Sequence, residues 1–319
     1  MSDLPASVQI NEEGPREGFQ FEKGPIPTAR KIELIDALSE TGINHIQAAS
    51  FVNPARVPGW ADADAVVAGF KRKPGVEYTA LWLNLQGLKR AIAAGRLDIQ
   101  GSFSLTASET FLKRNQQRSL EDNIRAAHET LRMYKALGIP LERAGIMAAF
   151  GCNFEGEIPH QRVLDMIATL LEIAAEHGTP PRILSLADTM AWATPQSVRA
   201  LVGKVRNRYP DLTLSLHLHD TRGMGIANAY AGLEMGVRIY DATVAGLGGC
   251  PFAAHKGAAG NVCTEDLVFL CEEMGIATGI DLDKLIEVAQ LAEDIVGHPL
   301  PGAVKMGGSL KALRTRLNG

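Results

Sequence analysis

An eightfold alternation of strand-like and helix-like patterns constrains the fold of this chain more than any other feature. Eight such units in about 275 residues are typical of a closed parallel barrel. A doubly wound sheet rarely reaches eight regular units, and no Gly-x-Gly-x-x-Gly follows the first strand pattern. The sequence therefore predicts an α/β fold of the (β/α)8 TIM-barrel type. The predicted strands are 8–14, 44–50, 76–84, 97–105, 144–151, 183–188, 212–220 and 239–246.

The predicted barrel accounts for about residues 8–277 of the 319. No shift in composition marks a second domain, so we expect one domain over residues 1–319. A helical pattern over 282–296 lies beyond the eighth unit, and it predicts a C-terminal helical extension over about 281–319.

Charge and hydropathy exclude several classes of function. The net charge is -4, and no long run of lysine or arginine is present, which argues against a nucleic-acid partner. No apolar run reaches the roughly 18 residues of a membrane span. The first residues have no basic region followed by an apolar one, and four cysteines are too few for a disulfide framework. We therefore expect a cytoplasmic enzyme.

The stretch 212–220 (LTLSLHLHD) carries the clearest chemical signal. Leucines occupy one face of this period-two pattern, while His217 and His219 share the other face, roughly 7 Å apart along the strand. A pair of hydrogen-bonded interior histidines is the ordinary interpretation of such a pattern. Here the pair closes an apolar strand, and the carboxyl ends of strands are where α/β barrels hold their chemistry. The pair is therefore interpreted as a metal site.

The barrel prediction brings other polar side chains to the same end. A carboxylate, two imidazoles and an amide oxygen form a mixed donor set that suits Mg²⁺ or Mn²⁺, whereas zinc more often binds thiolates or three nitrogens. The polar residues expected there are Arg16, Glu17, Gln47, Ser50, Asn84, Ser102, Ser104, Cys152, Asn153, Ser185, Asp188, His217 and His219, with the Gly-rich segment 246–261 after the last strand.

Five short motifs resemble the hydroxymethylglutaryl-CoA lyase group of metallolyase barrels. They follow one another in the order and spacing of that group from about residue 8 to residue 296. Related synthases share the His-x-His with Asp-Thr, but the Gly-rich loop is more specific to the lyases. The motifs are GPREGFQ (14–20), ASFVNP (49–54), SLADT (185–189), HLHDT (217–221) and GLGGCP (246–251) followed by GN (260–261).

The resemblance implies a metal-dependent retro-Claisen cleavage of a 3-hydroxy-acyl-CoA into acetyl-CoA and a ketone or oxoacid. It implies Arg16, Cys250 and His217 as catalytic residues, with Arg16 on the enolate oxygen and Cys250 in proton transfer. It implies an acyl-CoA partner and a homodimer. The implied metal ligands are Glu17, His217, His219 and Asn261, and the expected substrate-binding residues are Gln20, Gln47, Ser50, Asn84, Ser185, Asp188 and Lys256.

The chemistry itself requires these residue types. A divalent cation lowers the pKa of a tertiary hydroxyl enough for it to lose its proton near neutral pH. A developing enolate needs a permanently charged, forked donor, which arginine provides better than lysine. The carbanion then needs a proton from a group such as cysteine or histidine.

Four departures from the lyase pattern predict a different acyl group. Glu17 stands where the lyases carry aspartate, and Gln47 stands where they carry glutamate, which leaves one carboxylate fewer near the metal and the arginine. Ala187 replaces a glycine, and the Cys250 loop is two residues longer, with His255 and Lys256. We expect a substrate other than hydroxymethylglutaryl-CoA, such as citramalyl-CoA or a longer branched thioester.

Other interpretations stay open at this stage. A Claisen-type synthase or an aldolase of the same superfamily ranks lower because such synthases usually carry additional C-terminal domains. A non-catalytic barrel that binds a ligand gains support only from Glu17 and Gln47. Arg16 with Glu17 alone could be a structural ion pair, Cys250 could be a packed thiol, and Asp188 could cap the next helix or support a histidine. Cys263 and Cys271 are interpreted as packing residues.

Overall fold

A computed structural model of the protein describes residues 4–22, 24–249 and 260–318. Eight parallel strands alternate with helices along the chain, so the predicted (β/α)8 fold class is confirmed. The strands are β1 (Gln9–Glu12), β2 (His45–Ser50), β3 (Glu77–Leu81), β4 (Gly101–Thr106), β5 (Leu141–Met147), β6 (Ile183–Asp188), β7 (Thr213–Leu218) and β8 (Ile239–Ala242).

The helices include the predicted C-terminal extension, and among the described residues none is long and apolar enough to cross a lipid bilayer. They are α1 (Phe19–Phe21), α2 (Thr28–Ser39), α3 (Ala63–Gly69), α4 (Leu85–Ala93), α5 (Glu109–Gln116), α6 (Leu120–Leu137), α7 (His160–Glu176), α8 (Pro195–Arg208), α9 (Gly225–Glu234), α10 (Thr264–Glu273), α11 (Leu282–Val296), α12 (Val304–Gly307) and α13 (Leu310–Asn318).

The predicted bounds are best where a local signal defines them. The limits of β6, α8 and α11 agree with the sequence pattern. Ser119 caps α6 as predicted: its side chain accepts a hydrogen bond from the Asp122 N–H, and Asp122 bonds back to the Ser119 N–H. Strand β5 begins and ends earlier than predicted. It ends early because the chain turns at Ala148, where φ is 54°. Helix α5 was not predicted.

The first of two compact units, called the β1–β3 unit, comprises Ala6–Ile99, Asp241–Gly249 and Ala259–Gly319. Its strands lie in the order β3-β2-β1-β8, with only the last two residues of β8 included. Helix α2 buries Leu34, Ile35 and Leu38 completely, as expected for the inward face of an amphipathic helix.

The second unit, called the β4–β7 unit, is described over Gln100–Tyr240 and at its N-terminal residues 4–5. Its strands lie in the order β8-β7-β6-β5-β4. Along β7, Leu214, Leu216 and Leu218 are buried, and the register pairs His217 with Ala187 of β6. Three of the four leucines of the predicted face are therefore buried, while Leu212 precedes the strand and is half-buried.

Candidate active site

The two histidines at the end of β7 converge on each other. Their Nε2 atoms are 3.2 Å apart, and their ring centroids are 5.2 Å apart. At this separation, two imidazole nitrogens either share one proton or bind one cation, because two protonated rings would repel each other. The alternation of the strand explains the geometry, since residues two apart point to the same face.

Asp188, the last residue of β6, fixes the turn that follows it. Its Oδ1 accepts hydrogen bonds from the backbone N–H groups of Trp192 (2.7 Å) and Ala193 (3.1 Å). Helix α8 has its own cap, Thr194, so Asp188 supports the turn before the helix rather than the helix itself. Burial raises the pKa of Asp188 to about 7, while the two backbone donors lower it.

A half-buried arginine lies beneath the histidines in the β4–β7 unit. Arg143 of β5 donates to the hydroxyls of Ser185 and Ser215, each at 2.8 Å. Ser215 lies two residues before His217 on the same strand face, and it pairs with Ser185 in register. Ser185, expected to bind substrate, therefore has a protein partner in this layer.

In the β1–β3 unit, a π-helical turn at Gly14–Gly18 presents Arg16 and Glu17. Glycine is required at both ends of the turn: a Cβ on Gly14 would lie 2.5 Å from Glu12 Oε1, and one on Gly18 would lie 2.8 Å from Leu247 Cβ. The close approach of these neighbours explains the two glycines of the GPREG motif.

Arg16 is held on several sides within this unit. Its Nε donates to Gln47 Oε1, and its second terminal nitrogen lies 2.8 Å from Glu13 Oε2 and 3.1 Å from Glu17 Oε2. Its backbone oxygen accepts a hydrogen bond from Trp60 Nε1 at 2.9 Å. The guanidinium is therefore fixed in direction while it keeps its permanent charge.

Asn261 lies beside Glu17 and has a side-chain oxygen that is available to a ligand. Its Nδ2 donates to Glu17 Oε2 at 3.4 Å. Its Oδ1 is buried and has no hydrogen-bond partner in the described part of the chain. A buried amide oxygen in this state is costly unless a ligand binds it. A carboxylate and such an oxygen are donors that Mg²⁺ and Mn²⁺ prefer, so these two residues fit the predicted cation.

A second buried carboxylate supports the Arg16 turn from below. Glu12 Oε1 accepts hydrogen bonds from the N–H groups of Gly14 (2.7 Å) and Val244 (2.9 Å), and Oε2 accepts one from Thr264 Oγ1 (2.6 Å). Burial raises the pKa of Glu12 to about 8, although these hydrogen bonds act in the opposite direction. Glu12 thus joins the start of the turn to the segment after β8.

The next peptide of that segment is also held by a buried carboxylate. Ala245 has a φ of 57°, in the left-handed region, and its N–H donates to Glu265 Oε2 at 2.9 Å. A strained non-glycine residue persists only where its surroundings hold it. The base of the Gly-rich loop is therefore rigidly anchored before the chain reaches Gly246.

The other predicted substrate residues fall into two groups. Gln20 Oε1 and Ser50 Oγ are buried without a hydrogen-bond partner among the described residues, as expected of atoms that meet a ligand. Asn84 instead is exposed and caps α4, accepting a hydrogen bond from the Gly87 N–H at 2.9 Å. Cys250 and Lys256 lie outside the residues that the structure describes.

The remaining cysteines are packed. Burial raises the pKa of Cys263 well above its usual range and that of Cys271 to about 12, in agreement with their interpretation as packing residues. Cys152, which the sequence left undecided, is buried and accepts a hydrogen bond from Ser108 Oγ at 3.0 Å.

Sequence reasoning missed three residues that form the Arg16 environment: Glu12, Glu13 and Trp60. Glu12 and Glu13 directly precede the GPREG motif, and two adjacent acids at the end of a strand pattern were a signal that buried partners follow. Trp60 had no such signal, because its partner is a backbone oxygen 44 positions away. In this chain Arg16 has two acidic partners, Glu13 and Glu17, beside the neutral Gln47.

Comparison with known proteins identifies the family. The HMGL-like family model matches residues 7–292. The chain belongs to the HMGL-like family. This member is 41% identical over 284 residues to a mitochondrial hydroxymethylglutaryl-CoA lyase of Gallus gallus, covering 89% of this chain and 92% of that protein. It is 40% identical over 287 residues to a cytoplasmic 3-hydroxy-3-methylglutaryl-CoA lyase of Homo sapiens, covering 90% and 75%.

Solved structures agree with the sequence relatives. The HMGL-like chain superposes on a Bacillus subtilis HMG-CoA lyase with a TM-score of 0.85 at 36% identity, covering 94% of this chain and 97% of that one. It superposes on an Acinetobacter baumannii HMG-CoA lyase, solved with coenzyme A and 3-methylmalate, with a TM-score of 0.84 at 37% identity, covering 97% and 96%. The predicted fold, family and lyase class are therefore confirmed.

Proposed function

We propose that the protein cleaves the C2–C3 bond of a 3-hydroxy-3-substituted acyl-CoA, releasing acetyl-CoA and a ketone or oxoacid. The observation that carries this proposal is the fixed Arg16 guanidinium beside Glu17 and Asn261, with the unpartnered Asn261 oxygen, in a member of the HMGL-like family. The reaction needs a cation ligand set and a charged donor for an enolate, and this turn offers both residue types.

A divalent cation, Mg²⁺ or Mn²⁺, is the proposed cofactor, with Glu17, Asn261, His217 and His219 as its ligands. Family membership supports this set, as do the donor atoms that each unit presents by itself. The bound cation would lower the pKa of the substrate's 3-hydroxyl. Mg²⁺ and Mn²⁺ are the two metals proposed because the ligand set mixes oxygen and nitrogen donors.

The chain's own residues have distinct tasks. Arg16 offers a permanent positive charge to the thioester oxygen as the enolate forms, because Gln47 and the neighbouring acids hold its guanidinium in one direction. Cys250 is proposed to supply the proton that converts the enolate carbon to the methyl group of acetyl-CoA, and His217 is retained as a catalytic candidate. Gln20 and Ser50 are proposed to contact the substrate through their unpartnered polar atoms.

The acyl group is proposed to differ from hydroxymethylglutaryl-CoA because of Glu17 and Gln47. Purified protein with Mg²⁺ or Mn²⁺ is assayed for acetyl-CoA release from a panel of hydroxymethylglutaryl-CoA, citramalyl-CoA and longer branched 3-hydroxy-acyl thioesters. We expect the highest kcat/KM on one of the latter. The highest value on hydroxymethylglutaryl-CoA would disprove the altered specificity, and no cleavage of any member would disprove the lyase activity itself.

Two further properties remain predictions of the family resemblance. The relatives include both cytoplasmic and mitochondrial lyases. A cytoplasmic location is proposed from the likeness to the cytoplasmic lyases among these relatives. A homodimer is proposed from the resemblance alone, and sedimentation of the purified protein tests it.

A further inference from the structure

Arg16 has one neutral partner and two acidic ones. Gln47 accepts a hydrogen bond through an amide oxygen, so it brings no charge to the guanidinium. Glu13 and Glu17 bring one carboxylate each. The Arg16 and Glu13 side chains are only 12% and 8% exposed, so their interaction is weakly screened by solvent.

The two acids do not have equal freedom to hold Arg16. Glu17 Oε2 also accepts a hydrogen bond from Asn261 and is the proposed cation ligand. A carboxylate that binds a divalent cation has less negative charge to offer an arginine at the same time. The constant negative partner of Arg16 must therefore come from elsewhere.

Glu13 meets that need from a rigid position. Its N–H donates to Ala242 O at 2.9 Å, and its carbonyl accepts the Glu17 N–H at 2.8 Å, which closes the first turn around Arg16. Its Oε2 is 2.8 Å from the Arg16 terminal nitrogen, closer than Glu17 Oε2. A charge-assisted hydrogen bond of this length fixes direction as well as charge.

We propose that Glu13 is a positioning residue that supplies Arg16 with the negative charge that Gln47 lacks. Because Arg16 acts on the enolate, this inference rests on the proposed lyase function. The lyase pattern has its carboxylate on the second strand, at the position of Gln47, whereas Glu13 directly follows β1 and contacts the same guanidinium. In this role Glu13 acts through Arg16.

The test moves the carboxylate next to Arg16 from position 13 to position 47. Glu13→Gln removes it and keeps the shape, Glu13→Asp keeps it, and Gln47→Glu in the Glu13→Gln background returns it from the other side. We expect Glu13→Gln to lower kcat on the best thioester by about tenfold to a hundredfold with KM changed less than about threefold. We expect Glu13→Asp and the double variant to recover kcat to within about threefold of the wild-type value.

A matched control removes an acid from an exposed ion pair of the same unit. Glu40 Oε2 lies 2.7 Å from Lys73 Nζ and its side chain is 67% exposed. Glu40→Gln is expected to leave kcat unchanged, as exposed pairs contribute little. If Glu13→Gln keeps kcat within twofold of wild type, or if Gln47→Glu restores nothing to a folded Glu13→Gln protein, the inference is wrong.

A second measurement separates this inference from the proposed function. Side-chain Nε–Hε signals of ¹⁵N-arginine-labelled protein are recorded, and the Arg16 signal is identified by its loss in Arg16→Lys. We expect slow rotation of the Arg16 guanidinium in wild type, faster rotation in Glu13→Gln and slow rotation again in the double variant. This result is independent of turnover. Unchanged rotation in Glu13→Gln would overturn the positioning role even in an active enzyme.

Discussion

The end of β7 and the Arg16 turn, which carry the candidate site residues, hold their polar side chains in two different ways. At β7, two histidines follow from a regular strand, and the layer below them is an arginine bonded to two neutral hydroxyls. At the Arg16 turn, the backbone leaves regular structure at once, and the layer below it is the buried carboxylate of Glu12. The side-chain directions at the end of β7 can be predicted from the sequence because the strand is regular. Those in the Arg16 turn depend on partners that are distant in the sequence.

This difference has a physical basis. A strand places residues i and i+2 on one face whatever lies around it. The π-helical turn has no such rule, and its side chains take the direction that Gln47, Trp60 and Glu13 impose. We therefore expect substitutions at β7 to act through lost donor atoms, and substitutions in the turn to act through lost direction.

The largest effect is expected at β7. His219→Ala and His217→Ala each remove a proposed ligand, so turnover is expected to fall by more than about a thousandfold. Mn²⁺ affinity, measured by calorimetry, is expected to fall by more than about a hundredfold. That is the largest loss expected when the mutated residue only hydrogen-bonds to a metal ligand. Unchanged Mn²⁺ affinity in both variants would show that the pair does not bind metal.

The same unit contains a matched control for these variants. His128 and His177 form a second histidine pair, with Nδ1 to Nε2 at 3.0 Å and ring centroids also 5.2 Å apart. This pair lies on the surface, where the His128 side chain is 27% exposed. His128→Ala is therefore expected to change neither Mn²⁺ affinity nor turnover, although it breaks a pair of the same geometry.

A smaller effect is expected from Arg16→Lys in the turn. Lysine keeps the positive charge but lacks the planar guanidinium that hydrogen-bonds to Gln47 and Glu13. Its charge is therefore not held in one direction. We expect kcat to fall by about thirtyfold to a hundredfold, with Mn²⁺ affinity within about threefold of wild type. A loss confined to Mn²⁺ affinity would instead place Arg16 with the ligand region, and the contrast between the two regions would disappear.

The sequence was sufficient to predict the parts of the fold that repeat or alternate along the chain. The eight βα units, the limits of β6 and α8, the leucine face of β7 and the family itself could all be predicted. Glu13 could not be assigned to Arg16, because their contact depends on how the chain turns between Gly14 and Gly18. The left-handed Ala245 and its anchor Glu265 were likewise missed, since no local preference of alanine indicates φ of 57°.

The smallest effect is expected from Glu12→Gln, and it appears in stability. Glu12 has a folded pKa of about 8 against an ordinary value of 4.5, so between these values the folded protein holds a proton that the unfolded chain has released. The free energy of unfolding therefore falls as pH rises through this window, by about 1 kcal/mol between pH 7 and 8. Below pH 7, Glu265 and Asp188, each with a pKa of about 7, add changes of the same sign.

Urea unfolding at pH 6, 7, 8 and 9 measures this contribution. We expect Glu12→Gln to lose most of the fall between pH 7 and 8, because glutamine cannot release a proton and only the smaller contributions of Glu265 and Asp188 remain there. Glu265→Gln is expected to lose only part of the fall below pH 7. The turn above Glu12 is then less sensitive to pH in the variant. An unchanged fall between pH 7 and 8 in Glu12→Gln would show that Glu12 is already charged at neutral pH, held so by the N–H groups of Gly14 and Val244 and by the Thr264 hydroxyl.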